Sequence, residues 1–264
     1  MSTLDGRTVL LTGASGGIGA ALCDALVAAG ARVVAVGRNE ARLQAIAARH
    51  ASGRIVPLIV DLADPEGPAQ LVAEVARLQP TPSVVVLGHA QGAFGLFEQQ
   101  TPEALQALVH TNLIASMTLI HALLPILRKH PQSSVVAIGS TFGSLAFPGF
   151  AAYSASKFGL RGLMEGLARE YADTPLRFQY LSPRATRTAF NTPQVEAMNR
   201  EMKVAQDDPA DVAAQLVAAI ASGRRRMQIG WPEKLFARIN GALPGLVDRN
   251  LAAQLPIVRR HAAS

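Results

Sequence analysis

The sequence predicts a doubly wound α/β fold: one parallel sheet covered by helices on both faces, in a single domain that ends in a helical extension. Three observations predict it. Short β-branched runs alternate with longer Ala/Leu-rich stretches from residue 8 to residue 229. The strand-like runs are apolar almost throughout, as strands buried on both faces must be. A glycine-rich turn opens the first strand–helix unit. With 264 residues, 49% of them hydrophobic, the chain has enough material for one sizeable core.

In order, the first strand is expected at 8–11, where Thr-Val-Leu-Leu runs directly towards the glycines, and the first helix at 18–29. A strand at 32–36 precedes a helix at 40–50, with Asn39 at its start, and a strand at 55–60 precedes a helix at 66–78. The run 83–87 supplies a fourth strand and 102–129 a long helix opened by Thr101-Pro102. Strands at 135–138 and 177–181 flank a helix at 152–172, and Pro209 opens a helix at 210–222 before a seventh strand at 227–229.

Two stretches break the alternation. Residues 183–209 form a polar segment too long for an ordinary connection and are a candidate lid. Residues 231–264 carry Leu235, Phe236, Ile239, Leu243, Leu246, Val247 and Leu251 at near-helical spacing, interleaved with Lys234, Arg238, Arg249, Arg259 and Arg260. Pro244 and Pro256 are expected to divide this tail into short helices. The organisation is therefore a core domain at 1–230 and a basic amphipathic extension at 231–264. The extension leaves three roles open: folding over the active site, contributing to a dimer, or lying in a membrane interface with its arginines at lipid phosphates.

The formal charge of +6 suits phosphate-bearing ligands, nucleic acid or an anionic membrane surface alike. No zinc-finger spacing, aromatic RNA-binding signature or basic zipper pattern accompanies it, so neither a nucleic-acid partner nor a metal site is expected. The single cysteine, Cys23, lies in a helical pattern and reads as a small buried hydrophobe. No leader-like regions precede the first strand, and no uninterrupted apolar stretch reaches the ~18 residues of a membrane span. The expected location is cytoplasmic, with peripheral membrane contact through 231–264 as a further expectation.

Thr12-Gly13-Ala14-Ser15-Gly16-Gly17-Ile18-Gly19 stands between the first strand and the first helix. Glycines let a backbone approach a pyrophosphate, and the free N–H groups and positive dipole end of the helix hold it. The same residues fit a G-x-S-x-G nucleophile elbow through Gly13, Ser15 and Gly17, which raises a serine hydrolase as an alternative. That fold normally sets several strands before the elbow and a histidine after it; here one strand precedes Ser15, and the histidine nearest the end is His261.

Further along, Tyr153 and Lys157 place a phenol and an ammonium at i and i+4 on one helix face. A neighbouring positive charge is expected to lower the phenol's pKa, so that it donates a proton in reduction and accepts one in oxidation. The spacing of Gly13, Gly17 and Gly19 resembles the T-G-x-x-x-G-x-G turn of the short-chain dehydrogenase/reductase family, whose members have a Rossmann fold. Tyr153 and Lys157 match that family's Y-x-x-x-K. Ser140, 13 positions before Tyr153, matches its catalytic serine. Asn112 matches the asparagine that holds a water relay to the lysine. The resemblance covers roughly residues 5–230, each motif in its expected context.

That resemblance implies a cofactor-binding set. Gly13, Ser15, Gly16, Gly17, Ile18 and Gly19 form the phosphate turn. Arg38 follows the second strand, Asp61 and Leu62 lie at the adenine, and Gly88 and Ala90 follow the fourth strand. Tyr153 and Lys157 stand beside the nicotinamide ribose, with Pro183 and Thr188 around the carboxamide. NAD enzymes usually place a carboxylate at the end of the second strand. Here Gly37-Arg38 stands there, and a guanidinium pairs bidentately with the 2′-phosphate that a carboxylate repels, so NADP is the predicted cofactor.

Two departures from the family stand out. Gly88-His89-Ala90-Gln91 replaces Asn-Asn-Ala-Gly, and Pro183-Arg184 replaces Pro-Gly. His89 reads as a packed or hydrogen-bonded imidazole, with a catalytic role as the alternative. Arg184 and Arg187 read as solvated lid charges or as contacts to an anionic group. Phe142, Leu145, Phe147 and Phe150 lie between Ser140 and Tyr153, and Phe94, Phe97 and Phe190 occupy loops that line the pocket in relatives. They suggest an apolar substrate as readily as ordinary packing. The expected function is hydride transfer between nicotinamide and a carbonyl or secondary alcohol of an apolar substrate, in the fatty-acyl, sterol-like or polyketide range. By resemblance the chain forms a homodimer or homotetramer. The non-enzymatic alternative is a regulatory protein that senses NADP without turnover; retention of Asn112, Ser140, Tyr153 and Lys157 argues against it.

Overall fold

The computed structural model describes residues 4–263. All seven expected strands form: β1 (Thr8–Thr12), β2 (Arg32–Gly37), β3 (Ile55–Ile59), β4 (Val84–Leu87), β5 (Ser133–Ile138), β6 (Leu176–Ser182) and β7 (Arg226–Gln228). They make one parallel sheet in the order β3-β2-β1-β4-β5-β6-β7. Alternation of side chains splits the core in two. Val9 and Leu11 of β1, and Val84 and Val86 of β4, join one cluster with Leu22 and Leu26 of α1 (Gly17–Ala28) and Val212 and Leu216 of α8 (Pro209–Ala221). Leu10, Val85 and Leu87 join the other, with Leu71 of α3 (Gly67–Arg77), Leu119 and Leu123 of α5 (Ala115–Leu127), and Leu160 and Met164 of α6 (Ala151–Glu170). Cys23 is fully buried in the first cluster, and burial pushes its thiol up to about 12.

The remaining differences from expectation have local causes. Helix α2 (Glu40–Ala47) begins on Asn39, whose side chain accepts from the Arg42 N–H, and ends three residues early. The long helix is interrupted: α4 (Pro102–Val109) and α5 are joined by a π turn, His110–Ile114. The whole rod Pro102–Leu127 is long and apolar enough to cross a membrane, contrary to the sequence expectation. Its Ala115, Leu119, Ile120, Leu123 and Leu127 are nevertheless buried in the sheet's second core cluster.

The lid stretch contains α7 (Pro193–Glu201), capped by Thr192, and a single bridge pairs Thr186 with Asp207. The extension forms α9 (Trp231–Ala242) and α10 (Pro244–Ala262). Pro244 opens α10 as expected, but Pro256 lies inside it without ending it. Tertiary contacts outweigh the lost hydrogen bond there: Val258 is fully buried against Gly149 and Phe94, and Arg260 and His261 meet Glu201 of α7 at 2.6 and 2.8 Å. Of the three roles left open for the extension, the fold displays the first, since α9 and α10 return across the open end of the sheet.

Candidate active site

Strand order reverses between β1 and β4, and the crevice beyond the carboxyl ends of such strands is where α/β sheets bind ligands. Register brings Thr12 opposite Leu87, so the glycines that follow meet. Gly13 has φ +69°, and a Cβ there would come within 2.5 Å of the Gly88 carbonyl oxygen. The turn then feeds α1, whose N-cap Gly16 makes no side-chain capping bond and whose first turn holds no carboxylate. Its leading N–H groups are thus available to an anion. Thr188 closes over the turn, its Cγ2 within 2.4 Å of where a Gly17 Cβ would lie. Thr111, on the wall of the same cavity, has a buried hydroxyl oxygen with no protein partner. An uncapped helix start, a turn built on absent side chains and an unsatisfied hydroxyl fit a bound dinucleotide.

At the β2 end, Arg38 lies 3.8 Å from Asp61, with 76% of its side chain exposed. So loose and solvated a pair contributes little and leaves the guanidinium available. Asn39 and Arg42 line the cavity beside it, two positions that sequence reasoning passed over. The signal for Arg42 was its place one turn after Arg38 in the same basic segment.

At the other end, Ser140 caps a short turn through an N–H bond from Phe142, and its hydroxyl is hydrogen-bonded to Tyr153. Lys157 is 2% exposed and donates to the Ile138 carbonyl at 3.2 Å, with its ammonium 5.8 Å from the Tyr153 ring centre. The predicted acidification of Tyr153 is not found. Burial raises the phenol above its usual range, opposed by the Ser140 hydroxyl, while burial also lowers Lys157 to about 8. The ammonium is engaged by a carbonyl and its charge is disfavoured by its own desolvation, so removal of the phenol from water dominates. Tyr153 therefore keeps its proton, the state required of an acid in reduction.

A family model described as short chain dehydrogenase matches residues 7–199. The chain is a short-chain dehydrogenase. An uncharacterized oxidoreductase of Escherichia coli K12, YciK, is 32% identical over 231 residues, 84% of this chain and 89% of that protein. The structure of a short-chain dehydrogenase from Streptomyces avermitilis superposes with a TM-score of 0.79 at 30% identity, covering 96% of this chain and 97% of that one. One from Burkholderia cenocepacia J2315, solved in complex with NADP, gives a TM-score of 0.80 at 22% identity over 94% and 98% of the two chains. The family uses a nicotinamide cofactor, and its membership removes the Ser15 hydrolase reading. Ser15 in this dehydrogenase packs beside the end of β2, its Oγ 2.9 Å from where a Gly37 Cβ would stand.

All the predicted site residues of the dehydrogenase line one cavity except Asn112. Its amide is fully buried, accepting from the Gln91 N–H at 2.7 Å and donating to the Gln91 carbonyl and to Ser156. The side chain thus ties the loop after β4 to the helix that carries Tyr153 and Lys157. His89 is a packing residue. Thr12 Oγ1 lies 2.7 Å from its Nδ1 and Ser116 Oγ 3.2 Å from its Nε2. Burial, with the Lys157 charge behind it, pushes the imidazole down to about 4. An unfolded imidazole takes its proton near 6.5, so this contribution to stability is complete above that pH and is lost as pH falls towards 4, by up to about 3 kcal/mol. Urea unfolding of the dehydrogenase at pH 7 and 4.5, compared with His89→Asn, is expected to show the steeper acid loss in the wild type. Equal slopes would rule the coupling out.

Of the two lid arginines, Arg187 is the solvated charge expected, its side chain 57% exposed, whereas Arg184 is largely buried among carboxylates. Arg184 meets Asp207 in a two-pronged pair at 2.7 and 2.9 Å and reaches Glu233 of α9 at 3.4 Å. Arg187 donates to the Gln206 carbonyl and pairs with Asp208. Of the phenylalanines, Phe142, Phe147, Phe150 and Phe190 line the cavity with Leu145. Phe94 lies behind Phe150 at 5.1 Å, and Phe97 is 61% exposed.

Tyr180 of β6 was not anticipated. Its phenol fills the space left by two absent side chains: a Cβ on Gly139 would fall 2.3 Å from its ring, and one on Gly143 would overlap its oxygen. The hydroxyl donates to the Lys157 carbonyl at 3.2 Å and contacts the Ser140 backbone, so one buried ring positions the main chain of both site residues. The pairing of Ala137 with Tyr180 across β5 and β6 creates this contact, and it is invisible without the register.

Proposed function

We propose that the protein is an NADP-dependent reductase of apolar carbonyl compounds. The observation that carries this reading is one continuous cavity of about 1250 Å³ with two chemically distinct halves. One half runs from Arg38, Asn39 and Arg42 along the glycine turn to Thr188. The other is walled by Phe142, Leu145, Phe147, Phe150 and Phe190, by Val195, Met198 and Met202 from the lid, and by Phe236, Val247 and Leu251 from the extension. Tyr153 and Ser140 stand where the halves meet.

Bound NADPH supplies the hydride. Around it, the Arg38 and Arg42 guanidinium groups suit a 2′-phosphate, and the uncapped start of α1 suits the pyrophosphate. The Ser140 hydroxyl donates to the carbonyl oxygen and fixes its position. Tyr153 passes its proton to the developing alkoxide, and Lys157, charged below about 8, stabilises the phenolate left behind. The aromatic wall excludes water from the reacting carbon and accepts an apolar chain.

A carbonyl panel with NADPH and NADH tests this reading. The expected result is a clear preference for NADPH and a higher kcat/KM for long-chain or polycyclic ketones than for small polar ones. Faster turnover of small polar ketones, or equal use of both cofactors, would overturn it.

A further inference from the structure

The extension has a second face that the cavity does not use. Helix α9 has no fully buried residue. Its inward side contributes Pro232, Glu233 and Phe236 to the cavity. Its outward side presents Trp231, Lys234, Leu235 and Arg238 at spacings of three and four residues, all exposed, which is one stripe of a helix. Trp231 is 72% exposed, and Leu243 and Leu246 at the bend into α10 are 59% and 56% exposed. Arg249 follows Leu246 one turn later.

Two further observations say what covers this surface. The first is charge. Residues 231–264 carry five Lys and Arg against two carboxylates, and one of those, Glu233, is turned inward onto Arg184. Cations interleaved with apolar side chains and a tryptophan complement a surface whose outer layer is anionic and whose interior is hydrocarbon. The second is continuity. Phe236 is 44% exposed and also lines the cavity, so it stands at a rim shared by the outer stripe and the aromatic chamber.

We propose that the α9–α10 face docks in the plane of an anionic lipid bilayer, with Trp231, Leu235 and Leu246 at the acyl boundary and Lys234, Arg238 and Arg249 at lipid phosphates. The docking holds whichever carbonyl is reduced. It places the apolar end of the cavity beside the membrane, where poorly soluble molecules concentrate.

Trp231 is the chain's single tryptophan, so its emission reports the docking directly. The full-length protein is titrated at low salt with vesicles of phosphatidylcholine and phosphatidylglycerol in equal parts, and with phosphatidylcholine alone, and the vesicles are then sedimented. The expected result is a blue shift and co-sedimentation with the anionic vesicles only, reversed at high salt. Neutralising both Lys234 and Arg238 to Ser should weaken the partition by about thirty-fold at unchanged turnover of a small soluble carbonyl. Unshifted emission with all protein in the supernatant would overturn the proposal. So would equal binding to neutral vesicles, full binding by the double variant, or a blue shift that follows protein concentration without lipid, which would assign the face to a second copy of the chain.

Discussion

Replacing Tyr153 by Phe should leave a folded protein that still binds NADPH but turns over about two to four orders of magnitude more slowly, the usual worth of a positioned general acid. The change deletes one oxygen from a ring that remains packed between Phe142 and Phe150. Removing a hydroxyl that burial already holds protonated relieves a desolvated group, so stability should be equal or slightly higher. Cofactor fluorescence titration and steady-state turnover separate the two effects. Turnover within a few-fold of wild type would mean that the proton comes from elsewhere.

Arg38→Asp is the second large effect. The wild-type guanidinium is held only by the distant Asp61, so little structural energy is lost on its removal. On the proposed reading, what changes is the encounter with NADPH: a charge-assisted bidentate pair would be exchanged for repulsion beside Asp61. Loss of the pair alone, at about 1.5–3 kcal/mol, lowers NADPH affinity by roughly ten- to a hundred-fold. Because a carboxylate accepts from the ribose hydroxyls, NADH should gain, and the ratio of kcat/KM for the two cofactors should invert. An unchanged ratio would move recognition of the phosphate to Arg42.

The backbone plan was legible because β1 to β5 announce themselves by β-branched residues, and helices such as α2, α4 and α8 by period and a capping side chain. Val9, Leu10 and Leu11 are all buried because both faces are covered, and a continuous apolar run states that directly. The glycine turn was equally plain, since the absence of side chains is itself the message. Three features were not legible. The packing role of His89 depends on Thr12 and Ser116, 77 and 27 residues away. The ring of Tyr180 occupies a space defined by two glycines in the turn that follows β5, Gly139 and Gly143. The neutral phenol of Tyr153 follows from burial, and burial is a property of the fold; pairing it with Lys157 by sequence spacing named the right two residues and the wrong balance between them. Pro256 shows the same asymmetry, because its local rule is overridden by contacts that only the folded chain makes.

Arg184 occupies a place where glycine would leave the turn after β6 bare. Its guanidinium gathers carboxylates from positions 23 and 49 residues further along, one at the end of the lid and one at the start of the extension. With 20% of its side chain exposed, it is a largely desolvated cation that stays favourable only while those partners stay. Lid and roof therefore share a single pivot, and neither leaf swings out alone without stranding a charge. A second tie joins α10 to α7, where Arg260 and His261 both meet Glu201, and the Arg260 pair, 64% exposed on its cationic side, is the more screened of the two.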